Sequence, residues 1–160
     1  MKHYIFLIGL VFSLGLLSCG GNDVIFDEGA QLETDIMLIE EFLADNGLEA
    51  DTLLPSGIRI ITDDPGQEPK ARFGDSVETR YRGYLLDGTE FDSSEGRDPL
   101  WFIVGKGDVI QGWEIAIRQL GKGGRATVFV PSQYGYGNRG QGIIPPNSVL
   151  VFEINVLNIR

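Results

Sequence analysis

Hydrophobic positions change their period several times along the chain, and each change marks an element. Leu32, Ile36, Ile39 and Leu43 recur at i, i+4, i+7 and i+11, one face of a helix, and Leu38 and Phe42 widen the stripe. Glu33, Asp35, Glu40, Glu41 and Asp45 fall to the polar remainder. A helix is therefore expected over Gln31–Asn46, stopped by Asn46-Gly47, where glycine accepts a positive φ. Leu48–Gly57 reads as a connector. From Ile58 the period falls to two. Ile58, Ile60 and Ile61 open a strand; Val77, Thr79 and Tyr81 alternate with Glu78, Arg80 and Arg82; Leu150, Phe152, Ile154 and Val156 alternate at the end. Asp87-Gly88 sits between Tyr84-Leu85-Leu86 and Thr89-Glu90-Phe91 as a hairpin turn. Trp101–Val104 and Ala126–Val130 are two more short apolar runs. Helical spacing returns once more, at Ile110, Trp113, Ile117 and Leu120, and Gly121 ends it. Strands with short connections and a single short core helix predict an α+β fold, an antiparallel β-sheet with a short α-helix packed on it, preceded by an N-terminal helix.

The first residues read as an address. Lys2 precedes the mostly apolar stretch Tyr4–Leu17, which is shorter than the roughly 20 residues a helix needs to span a bilayer. It suits the apolar part of a secretory signal. The stretch ends Leu16-Leu17-Ser18-Cys19-Gly20, which resembles a bacterial lipobox. That resemblance implies cleavage before Cys19 and lipid on its sulfur and amine. The competing reading, an ordinary signal peptide with an incidental cysteine, leaves a lone thiol in an oxidising compartment. The expected organisation is a signal peptide at 1–18, a lipid-anchored tether at 19–30, a helix and connector at 31–55 and a globular domain at 56–160. The expected location is the outer membrane or the periplasmic side of a bacterium.

Charge and composition narrow the chemistry. With 13 basic against 23 acidic residues the formal charge is −10, a poor match to nucleic acid. The only histidine and the only cysteine are His3 and Cys19, so Gly20–Arg160 contains neither. That segment has no Ser-His-Asp triad, no cysteine nucleophile, no His/Cys zinc site and no disulfide. Asp63-Asp64, and Asp92 with Glu95, do not match a calcium loop. Gly105-Lys106-Gly107 and Gly121-Lys122-Gly123-Gly124 lack the Ser or Thr that follows Gly-Lys in a phosphate loop, and read as turns. A carboxylate pair for glycoside hydrolysis has only the acids themselves in its favour. No metal and no cofactor are expected. Glycine is in excess at 22 residues, concentrated between Gly83 and Gly142, and Pro131–Asn147 is a long loop.

What remains is aromatic. Tyr81, Phe91, Trp101, Trp113, Tyr134, Tyr136 and Phe152 collect around turns and the long loop. Their neighbours are unusual: Phe91-Asp92-Ser93-Ser94, Val109-Ile110-Gln111-Gly112-Trp113, Tyr134-Gly135-Tyr136-Gly137 and Gly142-Ile143-Ile144-Pro145-Pro146. Together with Tyr81-Arg82-Gly83, Asp87-Gly88, Gly105-Lys106 and Leu150-Val151-Phe152, and in this order, they resemble the FKBP family of peptidyl-prolyl cis-trans isomerases over about Ser56–Arg160. The resemblance implies an antiparallel sheet wrapped on a short helix. It implies a pocket walled by Tyr81, Phe91 and Phe152 and floored by Trp113. Val109 and Ile110 would form a rim, with the Ile110 N–H donating to a substrate carbonyl. Asp92 would face the pocket, Tyr136 would offer its hydroxyl, and Leu100, Ile143 and Ile144 would touch substrate. Three positions depart from the family pattern: Leu100 where an aromatic is frequent, Gln141 where a histidine is familiar, and Asp108 for a glutamate. They bear on substrate preference and on macrolide affinity.

The implied reaction needs no nucleophile. The barrier to turning a peptide bond is amide resonance, about 18–20 kcal/mol. A twisted bond is less dipolar than a planar one, so an apolar recess favours it. The expected function is isomerisation of X-Pro bonds in exported polypeptides. Two other readings stand beside it. One is a membrane-anchored module that grips proline peptides, or acts as a chaperone, without turnover. The other is a structural lipoprotein whose Gln31–Asn46 helix pairs with a second chain, although docking of that helix on its own domain is the simpler expectation.

Overall fold

The computed structural model describes residues 28–160. The signal segment, Cys19 and most of the expected tether lie outside the described residues. Helix α1 spans Glu28–Asp45 and ends as Asn46-Gly47 predicts, with Gly47 at φ 62°. It starts inside the stretch read as tether. Strands β1 (Thr52–Leu53), β2 (Arg59–Asp64), β3 (Ser76–Leu85), β4 (Glu90–Ser93), β5 (Leu100–Ile103), β6 (Arg125–Val130) and β7 (Leu150–Ile159) form one sheet, and their pairings are antiparallel. The short helix α2 (Gln111–Ala116) is continued by a 3₁₀ turn over Ile117–Gln119, so the second helical stripe is real but its last turn is tighter than an α-helix. β1 lies within the expected connector and pairs Thr52 with Ile60.

The sheet order is β1-β2-β6-β7-β3-β4, with β5 on β3. Long β3 serves both: β7 runs along one edge, while β5 pairs with its first half and β4 with its second. The predicted hairpin closes β3 onto β4 through bonds from Leu85 N–H to Thr89 O and from Gly88 N–H to Leu85 O.

Period-two alternation sends neighbouring residues to opposite faces. On one face Ile60, Val77, Val128, Phe152, Ile154 and Val156 pack on Trp113, Ala116, Ile117 and Leu120 of the α2 region. On the other face Phe129 and Val151 pack on Ile39 and Leu43 of α1. The sheet is thus covered on both sides, and α1 is docked on its own domain. Each fully buried aliphatic chain such as Ile39 contributes about 1.5–3 kcal/mol relative to exposure. Glu40 adds an ion pair to Arg59 at 2.6 Å.

Two details of α1 differ from the sequence reading. Leu38, counted in the apolar stripe, is 41% exposed. Asp35, counted as surface decoration, is 0% exposed. Asp35 stands four residues before Ile39 and eight before Leu43, so helical geometry puts it on the docked face despite its charge.

Candidate active site

Four elements converge at one end of the main core. Tyr81 points inward from β3, Phe91 from β4, Phe152 from β7, and Trp113 comes from the first turn of α2. The buried Trp113 ring meets three others: Tyr81 at 5.1 Å between centroids and 88°, Phe152 at 5.4 Å and 87°, and Phe102 at 6.0 Å and 69°. Phe91 meets Phe152 at 5.5 Å and 85°. Edge-to-face packing of this kind stabilises beyond area burial by about 0.5–1.5 kcal/mol per pair. Two glycines make the close fit possible. A Cβ on Gly112 would stand 2.3 Å from Val130 Cγ1, so only glycine lets α2 seat Trp113 this near β6. A Cβ on Gly83 would stand 2.7 Å from the Phe91 ring and 3.0 Å from Phe152.

One rim is polar. The Tyr81 hydroxyl donates to Asp92 Oδ2, and Arg97 Nη2 donates to Asp92 Oδ1 at 2.6 Å. The Ser93 N–H also donates to that oxygen, at 2.9 Å. Burial alone would push the Asp92 carboxyl up, but the bonds from Tyr81 and Arg97 outweigh it and hold the carboxyl below its ordinary range. The Tyr81 phenol is pushed up to about 12 by burial first and by the Asp92 carboxylate second. Burial, then the Asp92 charge, also raises the Tyr136 phenol. At neutral pH the rim holds one carboxylate and two intact phenols. Arg97 did not figure among the sequence candidates. The available signal was a lone arginine directly after Gly96, whose φ of 70° turns the chain back toward Asp92.

Val109 and Ile110 are half-buried beside this cluster and pack on the main core. Ile110 is the N-cap of α2, where the first N–H groups have no partner within the helix. Glu114 braces the preceding turn, accepting from Gly105 N–H at 2.6 Å and Gly107 N–H at 3.2 Å. The Asp108 carboxylate accepts from Ile103 N–H at 3.3 Å. Leu100 is half-buried in β5 against the same core. The loop neighbours Ile143 and Ile144 part company: Ile143 is 63% exposed at the tip, while Ile144 is 6% exposed and belongs to the core. Trp101, grouped by sequence with the other rings, pairs with Glu78 in register and lies exposed, with no ring partner among the described residues.

The cluster presents an apolar, ring-lined surface with a phenol hydroxyl at its rim and the N-terminus of α2 beside it. It offers no nucleophile. A cavity of about 790 Å³ lies on the outer side of this rim, lined by Tyr81 and Arg97 together with Arg80, Arg82, Arg125 and Glu153. Its lining mixes charged side chains with Tyr81, Ala126 and Ile154, and it does not include Trp113 or Phe152.

A family model described as FKBP-type peptidyl-prolyl cis-trans isomerase matches residues 67–157. FK506-binding protein 1B of Aspergillus fumigatus is 46% identical over 96 residues, 54% of this chain and 80% of that protein. Peptidyl-prolyl cis-trans isomerase Fkbp12 of Drosophila melanogaster is 42% identical over 107 residues, 65% of this chain and 99% of the fly protein. Among solved structures, FkpA from Escherichia coli superposes with a TM-score of 0.69 at 30% identity, covering 82% of this chain and 64% of that one.

Proposed function

The chain belongs to the family of FKBP-type peptidyl-prolyl cis-trans isomerases and is itself such an isomerase, and from that premise we propose that the prolyl bond turns in the ring-lined cleft over Trp113 and that the clients are exported polypeptides. The observation that carries the first part is the Trp113 floor, held edge-on by Tyr81, Phe102 and Phe152. A pyrrolidine ring fits against such a floor by dispersion and by loss of apolar hydration.

Rotation about the bond costs amide resonance, and the twisted state carries a smaller dipole. Water stabilises the planar amide better than the twisted one, and an apolar recess removes that preference. A millionfold acceleration requires about 8 kcal/mol of differential stabilisation. Desolvation of the amide supplies part. The Ile110 N–H and the Tyr136 hydroxyl supply another part by holding the peptide backbone on either side while the bond turns. The ionised Asp92 keeps Tyr81 oriented as a wall and gives the rim its negative edge.

The leader supports the second part: the lipobox-like Leu16-Leu17-Ser18-Cys19 points to lipidation at Cys19 and to a membrane surface outside the cytoplasm, where newly exported chains fold. The same cleft is the place for a macrolide.

Exchange spectroscopy on an X-Pro peptide tests the cleft. The purified chain accelerates exchange, and Phe152→Ala or Trp113→Ala, if still folded, brings it close to background. Full activity in both folded variants defeats the proposal. Labelled fatty acid incorporated into the wild type but not into Cys19→Ser tests the anchor.

A further inference from the structure

Among the described residues Asp35 is the one charged side chain fully removed from solvent, and the isomerisation chemistry has no direct use for it. A carboxylate taken out of water costs free energy unless donors replace its hydration. Here two do. Asp35 Oδ2 accepts from the Ser132 backbone N–H at 2.7 Å, across 97 residues of sequence, and Oδ1 accepts from Gln31 Nε2 at 2.7 Å. Adhesion of α1 does not call for an acid, because Ile39 and Leu43 against Phe129, Val149 and Val151 already make an apolar seal. A leucine at position 35 would bury more apolar surface. What the carboxylate adds is direction, since a hydrogen bond fixes where the Ser132 amide points.

Ser132 is where the long segment between β6 and β7, which carries Tyr136, Ile143 and Ile144, begins. It opens a 3₁₀ turn over Ser132–Tyr134, closed by bonds from Tyr134 N–H to Pro131 O at 3.0 Å and Gly135 N–H to Ser132 O at 2.9 Å. The turn is packed on both sides. The Tyr134 carbonyl stands 3.2 Å from where a Gly112 Cβ would lie, next to Trp113, and a Gly135 Cβ would meet Leu150 Cδ1 at 2.7 Å. Tyr136 follows directly, as the N-cap of the next 3₁₀ turn, Gly137–Arg139. A bond from Asn147 N–H to Gly137 O at 2.8 Å ties the far end of the loop to its start.

We propose that Asp35 is a positioning residue for isomerisation: the N-terminal helix holds the Ser132–Tyr136 segment in place through the Ser132 amide, and so holds the Tyr136 hydroxyl over the cleft. The helix is then a working part of the enzyme as well as a spacer. This rests on the reading that the ring-lined cleft is the active site.

The experiment compares the wild type with Asp35→Asn and Asp35→Ala by peptide exchange kinetics and by amide hydrogen exchange. Asn keeps an acceptor oxygen for Ser132 and Ala does not. Asp35→Ala is expected to lower kcat/KM about tenfold, in line with the cost of a misplaced positioning group, while Asp35→Asn stays within about twofold. In Asp35→Ala, exchange at Ser132, Tyr134, Gly135 and Asn147 accelerates, while Val128 and Val151 in the sheet stay protected. Wild-type turnover in folded Asp35→Ala overturns the proposal, as does an equal loss in both variants. Accelerated exchange throughout the sheet also overturns it, because the carboxylate is then only part of the general packing. If Asp35→Ala does not fold, Asp35→Asn decides: retained Ser132 protection with retained turnover supports the proposal, and lost protection with retained turnover sinks it. The exchange data do not depend on where the chemistry occurs, so failure of the cleft reading, seen as full turnover in folded Trp113→Ala, is separately visible.

Discussion

The Trp113 indole and the Phe152 ring meet edge to face, 5.4 Å between centroids and 87° between planes, one carried by the short helix and the other by the last strand. The pair ties the helix to the sheet and, in the proposed mechanism, forms part of the wall against a prolyl ring, so the proposal couples stability and activity here. Phe152→Ala is expected to cost about 3–5 kcal/mol in urea unfolding, the range for losing a buried aromatic side chain. Peptide exchange falls toward background in the fraction that remains folded. Full activity in that fraction would show that the ring is only core.

Tyr136→Phe should be milder than Phe152→Ala, because it removes a hydroxyl and leaves the ring. A fall of about tenfold in kcat/KM corresponds to about 1.4 kcal/mol, within reach of one hydrogen bond to the substrate backbone. If the hydroxyl proves more costly than the Phe152 ring in equally folded protein, backbone hydrogen bonding outweighs desolvation and the mechanism above is wrong.

Tyr81 sets a pH dependence at the alkaline side. Its phenol rises from 10.0 to about 12 on folding, so its contribution to stability is whole below pH 10 and is lost as pH climbs toward 12. Asp92 has the opposite sign: its carboxyl is held below 3.8, so its contribution is present above that value and fades as pH falls through the folded pKa. Phenolate absorbance on titration should show a late-ionising tyrosine in the wild type that Tyr81→Phe lacks. Identical late limbs in the two proteins would refute Tyr81 as the late-ionising residue.

Gly83→Ala tests the tight approach of two rings. The new methyl would stand 2.7 Å from Phe91 and 3.0 Å from Phe152, so both rings must shift. Overpacking of this kind costs about 1–3 kcal/mol, and the cleft narrows. Peptide kcat/KM should drop while far-ultraviolet circular dichroism stays unchanged. Unaltered kinetics would place the substrate away from this wall.

Periodicity and turn chemistry carried most of the fold. The stripe Leu32–Ile36–Ile39–Leu43, the alternation at Val77–Tyr81 and Leu150–Val156, and Asp87-Gly88 each depend on neighbours a few residues away, so a linear reading captures them. The motif order around Tyr81, Phe91, Trp113, Tyr136 and Phe152 pointed to the family for a related reason: residue type and spacing are properties of the string. Other features required contacts between segments distant in sequence. Asp35 reads as a surface acid until Ser132, 97 residues later, brings an amide to it. Ile143 and Ile144 are neighbours of the same type, yet packing exposes one and buries the other. Arg97 joins Asp92 only because Gly96 turns the chain back, and Trp101 leaves the ring cluster because the register of β5 on β3 points it outward. The sequence alone determined the elements, their order and the family, since these follow from local propensity and pattern. Tertiary structure decided which polar groups find partners and which rings share a cleft, since burial and hydrogen bonding are settled only where separate segments meet.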